Sequence, residues 1–504
     1  MKLKSLLYIT AGCAIIATSA SCSKDYLELK PQGTFLEDNY YADADQAYSG
    51  LVAVYDIMGK EAKTFENMIT MMNAGSDDFY AGGGGPSDGA GIQSFNNFTI
   101  DESTIPPSFW NDYFQGIFRA NVLLQKLPNV PMDEALKARF IAEATALRGY
   151  YYFQLVRMFK NVPLFTEPVL ATDIYNVEQA NPAQVYEQIE TDLQAALPDL
   201  PIKIDNLDED GGRLTQGAVK ALLGKVYLYE GKNNLAAAQL AEVNGTPGET
   251  SKYGYKLVDN FADLFKSNTG FNSEGIIEVA ATNGANVDWG NWGGGQNEGN
   301  TVCQMVGPRG YSRTDGSTAP DYAGGWSFNT VSEDLYNVMK NDPRFDATIA
   351  DLKALQNEGQ ITYTAAHQDT GFFLKKFMPL KSDVTTGGGQ PELNFQQNVY
   401  IIRLADTYLM EAEALGGTGA RAQALLDAVR ARVGLPSVPV SMDAIMKERR
   451  LELAGEGHRF FDLVRTGKAA SVLASQGFTA GKNEIFPIPL NELDNTLIVQ
   501  NPNY

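Results

Sequence analysis

Between Met132 and Phe159, apolar side chains fall at Leu136, Phe140, Ala144, Leu147, Tyr151, Leu155 and Met158. Steps of three or four residues keep one stripe of an α-helix on a core. Such a stripe needs other elements to cover it, and the rest of the chain supplies helices. Pro163 and Pro168 punctuate the chain after this helix, and Pro182 opens a second one running to about Leu197, where Pro198 helps to stop it. The same period predicts helices over Ala42–Met58, Ser108–Leu127, Thr215–Glu230, Leu404–Leu415, Ala420–Val433 and Asp443–Ala454. Strand signals are few. Asn398–Arg403, with Val399-Tyr400-Ile401-Ile402, is the stronger and Ile276–Val279 the weaker. The expected fold class is mostly α, a helical scaffold with long loop insertions and a few short strands.

Some helices read as pairs. Leu223-Gly224, Tyr227, Gly231, Ala236 and Leu240 reproduce the offsets of a tetratricopeptide unit, in which small residues let two helices approach and large ones fill the seam. A looser echo at Leu404, Tyr408 and Ala412 continues into Leu425 and Val429, with Gly416-Gly417-Thr418-Gly419 out of register. The alternative is a generic antiparallel helix pair. Neither scaffold is an activity. No Pro/Ser-rich linker or charge block divides the 504 residues, so the expectation is one domain over 22–504, with a loop insertion at about 268–330.

The N-terminus carries an export signal. Lys2 and Lys4 precede the apolar run Leu6–Ala17, and the small residues Thr18-Ser19-Ala20-Ser21 lead to Cys22. The pattern predicts a lipoprotein signal peptide over 1–21 with lipid on Cys22; cleavage at the rival Cys13 would bisect the apolar run. That run is too short to span a bilayer, which takes about 20 residues, so the membrane is expected to hold the protein through lipid alone. Of the three cysteines, Cys13 leaves with the signal and Cys22 takes the lipid. Cys303 is then alone, and no intramolecular disulfide is available. A formal charge of −21 repels nucleic acid and other polyanions.

Enzymatic signals are thin. The two histidines, His367 and His458, are far apart in sequence, with no His-Glu-x-x-His and no cysteine pair for zinc. No Gly-Lys dipeptide is followed by Ser or Thr, which removes the phosphate-cradling loop. Gly85-Pro86-Ser87-Asp88-Gly89 matches G-x-S-x-G, but glycines at 82–84 and at 91 surround it where a nucleophile elbow needs a strand and a helix. Paired carboxylates for glycoside hydrolysis are set by separation in space, and nothing in the sequence singles out a pair. Arg449, Glu452, Glu456, His458, Arg459, Asp462 and Arg465 alternate with Leu453, Phe460, Phe461 and Leu463. Buried charges persist when paired, so this cluster reads as a salt-bridged helix junction with a structural histidine.

The functional signal lies in loops. Trp289, Trp292 and Trp326 fall in a stretch rich in Gly, Asn and Asp, with Arg309, Tyr311 and Tyr322 between them. Large aromatics on irregular backbone need something to cover them, and sugar rings do so with their C–H faces while Arg, Asp and Asn meet the hydroxyls. Packing of the same tryptophans onto the helical body is the competing reading, most of all for Trp326. Trp110, heading a helix with Tyr113 and Phe114, reads as core. A second loop, Ser76-Asp77-Asp78-Phe79-Tyr80, offers two carboxylates and two aromatics, with Asn96 and Asn97 close in sequence. Asp77 and Asp78 suit hydroxyls, a structural calcium ion or a solvated turn. No cofactor or other metal is called for.

A set of motifs spans nearly the whole chain: Asp25-Tyr26-Leu27, Leu147-Arg148-Gly149-Tyr150-Tyr151-Tyr152-Phe153, Asn161-Val162-Pro163-Leu164, Arg213-Leu214-Thr215, Ile402-Arg403-Leu404-Ala405-Asp406-Thr407-Tyr408-Leu409, Glu448-Arg449-Arg450-Leu451-Glu452-Leu453 with Glu456-Gly457-His458-Arg459-Phe460-Phe461-Asp462-Leu463, Phe486-Pro487-Ile488-Pro489 and Gln500-Asn501-Pro502. Together they resemble the SusD/RagB family of nutrient-binding outer-membrane lipoproteins of Bacteroidetes. The resemblance implies a single-domain helical fold with tetratricopeptide units, tethered to the outer membrane at the cell surface. It also implies a SusC-like TonB-dependent transporter as partner, a glycan ligand and no catalysis. In that family the region of Asp77 and Tyr80 commonly borders the ligand site, and Trp326 resembles a packing position. The expected ligand contacts are thus Trp289, Trp292, Tyr311, Arg309, Trp326, Asp77, Asp78, Tyr80 and Asn96. Peptide capture by the same architecture is the alternative, followed by a glycoside hydrolase.

Overall fold

Side-chain caps and prolines set the helix ends. The computed structural model describes residues 41–169, 173–290, 292 and 297–504. The signal peptide, Cys22 and Asp25-Tyr26-Leu27 lie outside the described residues. In chain order the scaffold comprises α1 (Ala44–Tyr55), α2 (Ser108–Lys126), α3 (Glu134–Phe159), α4 (Pro182–Ala196) and α5 (Gln216–Tyr229). It continues with α6 (Asn233–Asn244), α7 (Leu404–Ala414), α8 (Gly419–Arg432), α9 (Met442–Glu452) and α10 (Arg459–Arg465). Asp133 accepts the amide of Leu136 to start α3, and a reciprocal Asn181–Gln184 capping box with Pro182 starts α4. Thr215 caps α5 through the amide of Ala218. Each predicted helix is present, with ends within a few residues of those read from the sequence.

These helices pack in serial order: α1 on α2, α2 on α3, α3 on α4, α4 on α5, α5 on α6, α6 on α7 and α7 on α8. The α5–α6 seam shows why the pair motif needs a small residue. A Cβ on Gly224 would lie 2.6 Å from Leu240 Cγ, so only glycine lets the two helices approach this closely. Leu223, Ala236 and Leu240 are fully buried beside it. Helix α3 is the centre of the scaffold, covered on nearly all sides from Phe140 to Phe159.

The two predicted strands, β1 (Gly275–Val279) and β2 (Val399–Arg403), pair with each other antiparallel, Gly275 opposite Arg403 and Val279 opposite Val399. Their pairing closes a long excursion, residues 280–398, whose two ends leave the scaffold side by side. Within it, 349–351 pairs with 372–374, and 79–82 from an earlier loop bridges to 328–331. Residues 43–504 form one compact unit, and no helix of the described residues is long and apolar enough to cross a membrane.

The charges of the sequence motifs lie inside this unit. Arg403 is 1% exposed and meets Glu274 at 2.8 Å, Glu452 at 2.5 Å and Glu456 at 2.8 Å. Arg344, fully buried, joins Asp342, Glu448 and Glu452. Arg449 bridges Asp406 at 2.7 Å and Asp462 at 3.1 Å, and Arg465 clamps Asp462 and Glu413. His458 sits among them. Burial, with Lys225 nearby, pushes its pKa down to about 4, so the ring is neutral at pH 7. Burial acts upward on Glu456, but Arg403 and Lys376 hold that carboxyl down at about 2. Half-buried and neutral, His458 sits between committed ion pairs, and the cluster is a junction.

Candidate ligand-binding site

Three of the four tryptophans converge at the outer end of the excursion. Trp289 and Trp326 are stacked, with ring centroids 6.0 Å apart and planes 28° apart. Trp292 stands edge-on to both, at 5.4 Å from Trp289 and 6.2 Å from Trp326. Beneath them Phe65 lies 5.9 Å from Trp326 and 5.3 Å from Phe328. Trp289 is 46% exposed, far above the fully buried Phe328, and Trp292 and Trp326 are half-buried. The fourth, Trp110, is 3% exposed in α2, as its core reading requires.

The platform is held from below by polar side chains. Asn394, fully buried, donates to the Val287 carbonyl and accepts from the Val287 amide, which pins the chain just ahead of Trp289. The Trp292 amide closes a turn on the Asp288 carbonyl. Asn297, 5% exposed and oriented with its amide oxygen toward the donors, accepts from Trp292 Nε1 at 3.2 Å, the Thr64 amide at 3.1 Å and Thr301 Oγ1 at 3.2 Å. Backbone amides of Trp326, Ser327 and Phe328 bond to Gln304, Gly307 and Met305. Thr64, at φ 71°, and Ser327, at φ 59°, occupy left-handed backbone next to these rings, a conformation uncommon outside glycine, costly for the β-branched Thr64, and concentrated at functional sites.

Arg309 meets the platform from its edge: Nε donates to the Trp326 carbonyl at 2.9 Å and an Nη to Asp88 at 2.6 Å. Asp88 also accepts the amide of Gly84 at 2.7 Å, tying the glycine run to the tryptophan face. A Cβ on Gly82 would lie 2.3 Å from the Ser327 carbonyl, so position 82 can lie against the 327–328 backbone only as glycine. Tyr311, 7% exposed, packs its ring against Tyr322 at 5.5 Å and donates its hydroxyl to the Pro320 carbonyl. Its hydroxyl is committed inside the loop.

The second loop is used differently. Asp77 accepts from two nitrogens of Arg459, Nε at 2.8 Å and Nη2 at 2.9 Å, and pairs with Arg450 at 3.1 Å; Asp78, fully buried, takes Arg450 at 2.7 Å. Burial pushes the Asp78 carboxyl up to about 6 against the pull of Arg450, and although burial acts upward on Asp77 too, Arg459 holds it below the usual range. Asn96, 3% exposed, accepts the Ala81 amide and donates to Asn97. Tyr80 donates to Glu333 at 3.1 Å. These four residues anchor the loop; of the other expected contacts, Trp289, Trp292 and Trp326 form the platform, Arg309 borders it, and Tyr311 packs against Tyr322.

Phe65, Phe328, Asn297 and Asp88 carry no local sequence signal; each reaches the tryptophans from a distant segment or from the side of the chain turned inward. Ser87 is exposed in the Gly85–Asp88 turn, and among the described residues no hydrogen bond joins it to either histidine. Among the described residues no group of three or more His, Cys, Asp or Glu is placed to hold a metal ion.

Comparison with known proteins defines the class. A sequence model described as the SusD family matches residues 273–504, and one described as starch-binding associating with outer membrane matches 25–228. A SusD-like protein of Bacteroides ovatus is 25% identical over 494 residues, covering 92% of this chain and 82% of that one. A solved structure of a laminarin binding SusD-like protein is 61% identical with a TM-score of 0.90, covering 92% of this chain and 100% of that one. Surface glycan-binding protein A from Bacteroides thetaiotaomicron, solved in complex with laminarihexaose, is 27% identical with a TM-score of 0.81, covering 91% and 100%. The chain belongs to the SusD family.

Proposed function

We propose that this protein captures a neutral glycan of the laminarin type, a β-1,3-glucan, on the Trp289–Trp292–Trp326 platform and performs no bond chemistry on it. Lipid on Cys22 would hold it at the outer membrane facing the cell exterior, where it delivers the glycan to a TonB-dependent transporter. The observation that carries this reading is the indole cluster itself, with Trp289 46% exposed on a rigid polar base. An exposed aromatic surface of this size suits the C–H faces of sugar rings. Likeness to a laminarin binding SusD-like protein and to a relative solved with laminarihexaose supports the ligand class. The acidic surface disfavours sulfated or uronic-acid glycans. Peptide capture loses its main support, because Asp77 and Asp78 are neutralised by Arg450 and Arg459.

Isothermal titration of the purified chain with laminarihexaose, maltohexaose and cellohexaose tests the reading. Laminarihexaose is expected to bind and the other two to bind at least tenfold more weakly. Equal affinity for all three, or binding to none, contradicts it.

A further inference from the structure

A small polar chamber inside the molecule takes no part in the capture proposed for the indoles. It has a volume of about 30 Å³ and lies where α3 and α5 meet β2, the turn at 456–458 and the chain that follows α1. A cavity of about 10–15 Å³ already admits one water molecule, so this one has room for about two. Apolar cavities of this size stay dry, whereas polar ones that offer a guest two to four partners hold water. Here Glu61, Arg157, Lys225, Glu456 and His458 stand among the walls.

Three of these carry hydrogen-bonding capacity that the protein leaves unused. Lys225 is 6% exposed, yet its ammonium makes no hydrogen bond among the described residues, and its ion partner, Asp406 Oδ2, stands 3.6 Å away. Glu61, 7% exposed, takes Tyr150 and Gln154 on Oε1 and leaves Oε2 without a partner among the described residues. The half-buried ring of His458 likewise makes no hydrogen bond among the described residues. Gln154 Oε1 and Arg157 Nε also lack partners, but both are sealed in the packing and have no surface to offer a guest. An ammonium or carboxylate taken out of water without new hydrogen bonds is costly, so buried ones are paired or hydrated.

The three groups act on one another across a gap. Lys225 pulls the Glu61 carboxyl down against the effect of burial and adds to burial in pushing His458 down, although no ion pair or hydrogen bond joins it to either. Charges that interact beyond contact distance from the walls of one cavity leave room for a bridging molecule. The walls carry both signs, Arg157 and Lys225 against Glu61 and Glu456, so the guest must donate as well as accept. An anion would face two carboxylates.

From this arrangement we infer that the chamber is a binding site for water, about two molecules that supply Lys225 Nζ, Glu61 Oε2 and the His458 ring with the hydrogen bonds the protein withholds. The scaffold helices then meet the charged junction across a hydrated seam, whatever the platform binds.

A crystal structure of the mature chain, at a resolution that shows ordered water, tests it. The expected result is density for water inside the chamber, with one molecule about 2.7–3.2 Å from Lys225 Nζ. A bromide-soaked crystal tells water from an anion, and no anomalous peak is expected there. Lys225→Met keeps the length of the side chain and removes its donors, so crystals of that variant are expected to lose the water beside position 225. An empty chamber, a chamber closed by shifted side chains, or a bromide peak within it overturns the inference. So does water that stays in full at the same place in Lys225→Met. Wild-type crystals decide the question by themselves where the variant fails to fold.

Discussion

The charged junction of α7, α9 and α10 and the tryptophan platform are both rich in residues that do chemistry, yet they are built on opposite principles. In the junction the central arginines are enclosed and paired: Arg344 and Arg403 are at most 1% exposed, and Glu452 is shared by Arg344, Arg403 and Arg432. In the platform one large ring, Trp289, is left exposed and two, Trp292 and Trp326, half-buried, while the polar groups beneath them are satisfied. Buried ions hold their geometry because losing a partner leaves an uncompensated charge. Exposed indoles hold theirs because a base fixes them in advance, which lowers the ordering cost when a ligand arrives. A dense set of titratable side chains is therefore the scaffold here, and a sparse set of aromatic ones is the site.

Breaking the junction should give the largest effect. Arg403→Met takes one buried partner from each of Glu274, Glu452 and Glu456, leaving Glu274 to Arg432, Glu452 to Arg344 and Arg432, and Glu456 to Lys376, and is expected to cost about 3–5 kcal/mol of stability by denaturant unfolding, with glycan affinity of the folded fraction unchanged. Acid should act on the same region. His458 titrates near 4 when folded against about 6.5 when unfolded, so the unfolded chain binds the extra proton first. Stability is then full above about pH 6.5 and falls as the pH drops toward 4, each unit of separation being worth about 1.4 kcal/mol. Glu456 and Asp462, with folded values lowered by their arginine partners in spite of burial, add a further loss once the pH passes below the ordinary carboxylate range. His458→Gln should flatten the upper part of that curve in a pH series of unfolding midpoints and leave the lower part.

The platform should respond in the opposite sense. Trp289→Ala is expected to weaken laminarihexaose binding by on the order of 1–2 kcal/mol in calorimetry while the unfolding temperature stays nearly constant. Equal losses of folding and binding would make that indole a packing residue. Asn297→Leu sharpens the contrast, since Asn297 lies under the platform and holds Trp292 Nε1, Thr64 and Thr301. A smaller loss of affinity, roughly threefold, is expected together with a modest loss of stability, and Asn297→Asp, which keeps the accepting oxygen, should recover the affinity.

The helical scaffold was legible because its signals are local. The stripe from Leu136 to Met158 and the caps at Asp133, Asn181 and Thr215 need only neighbouring residues to be read. The strand pair was legible as two segments, but not as partners, since register across more than a hundred residues leaves no mark on either strand. The charge cluster around His458 was readable as a junction from its alternation with Phe460, Phe461 and Leu463. What it draws in from outside, Arg344, Lys376 and Arg432, was not. The three loop tryptophans announced themselves by composition, and the structure brings them into contact. Asp77 and Asp78 looked like ligand groups because adjacent carboxylates in a loop show no partner in sequence. Arg450 and Arg459, which answer them, lie more than 370 positions away.

Tryptophan fluorescence during titration with laminarihexaose tests the central claim most directly, because Trp110 is buried and the remaining three indoles form the platform. The predicted result is a saturable blue shift of the emission with the same dissociation constant as calorimetry, abolished in the Trp289→Ala, Trp292→Ala double variant. Binding by calorimetry with no change in wild-type emission would place the glycan elsewhere and contradict it.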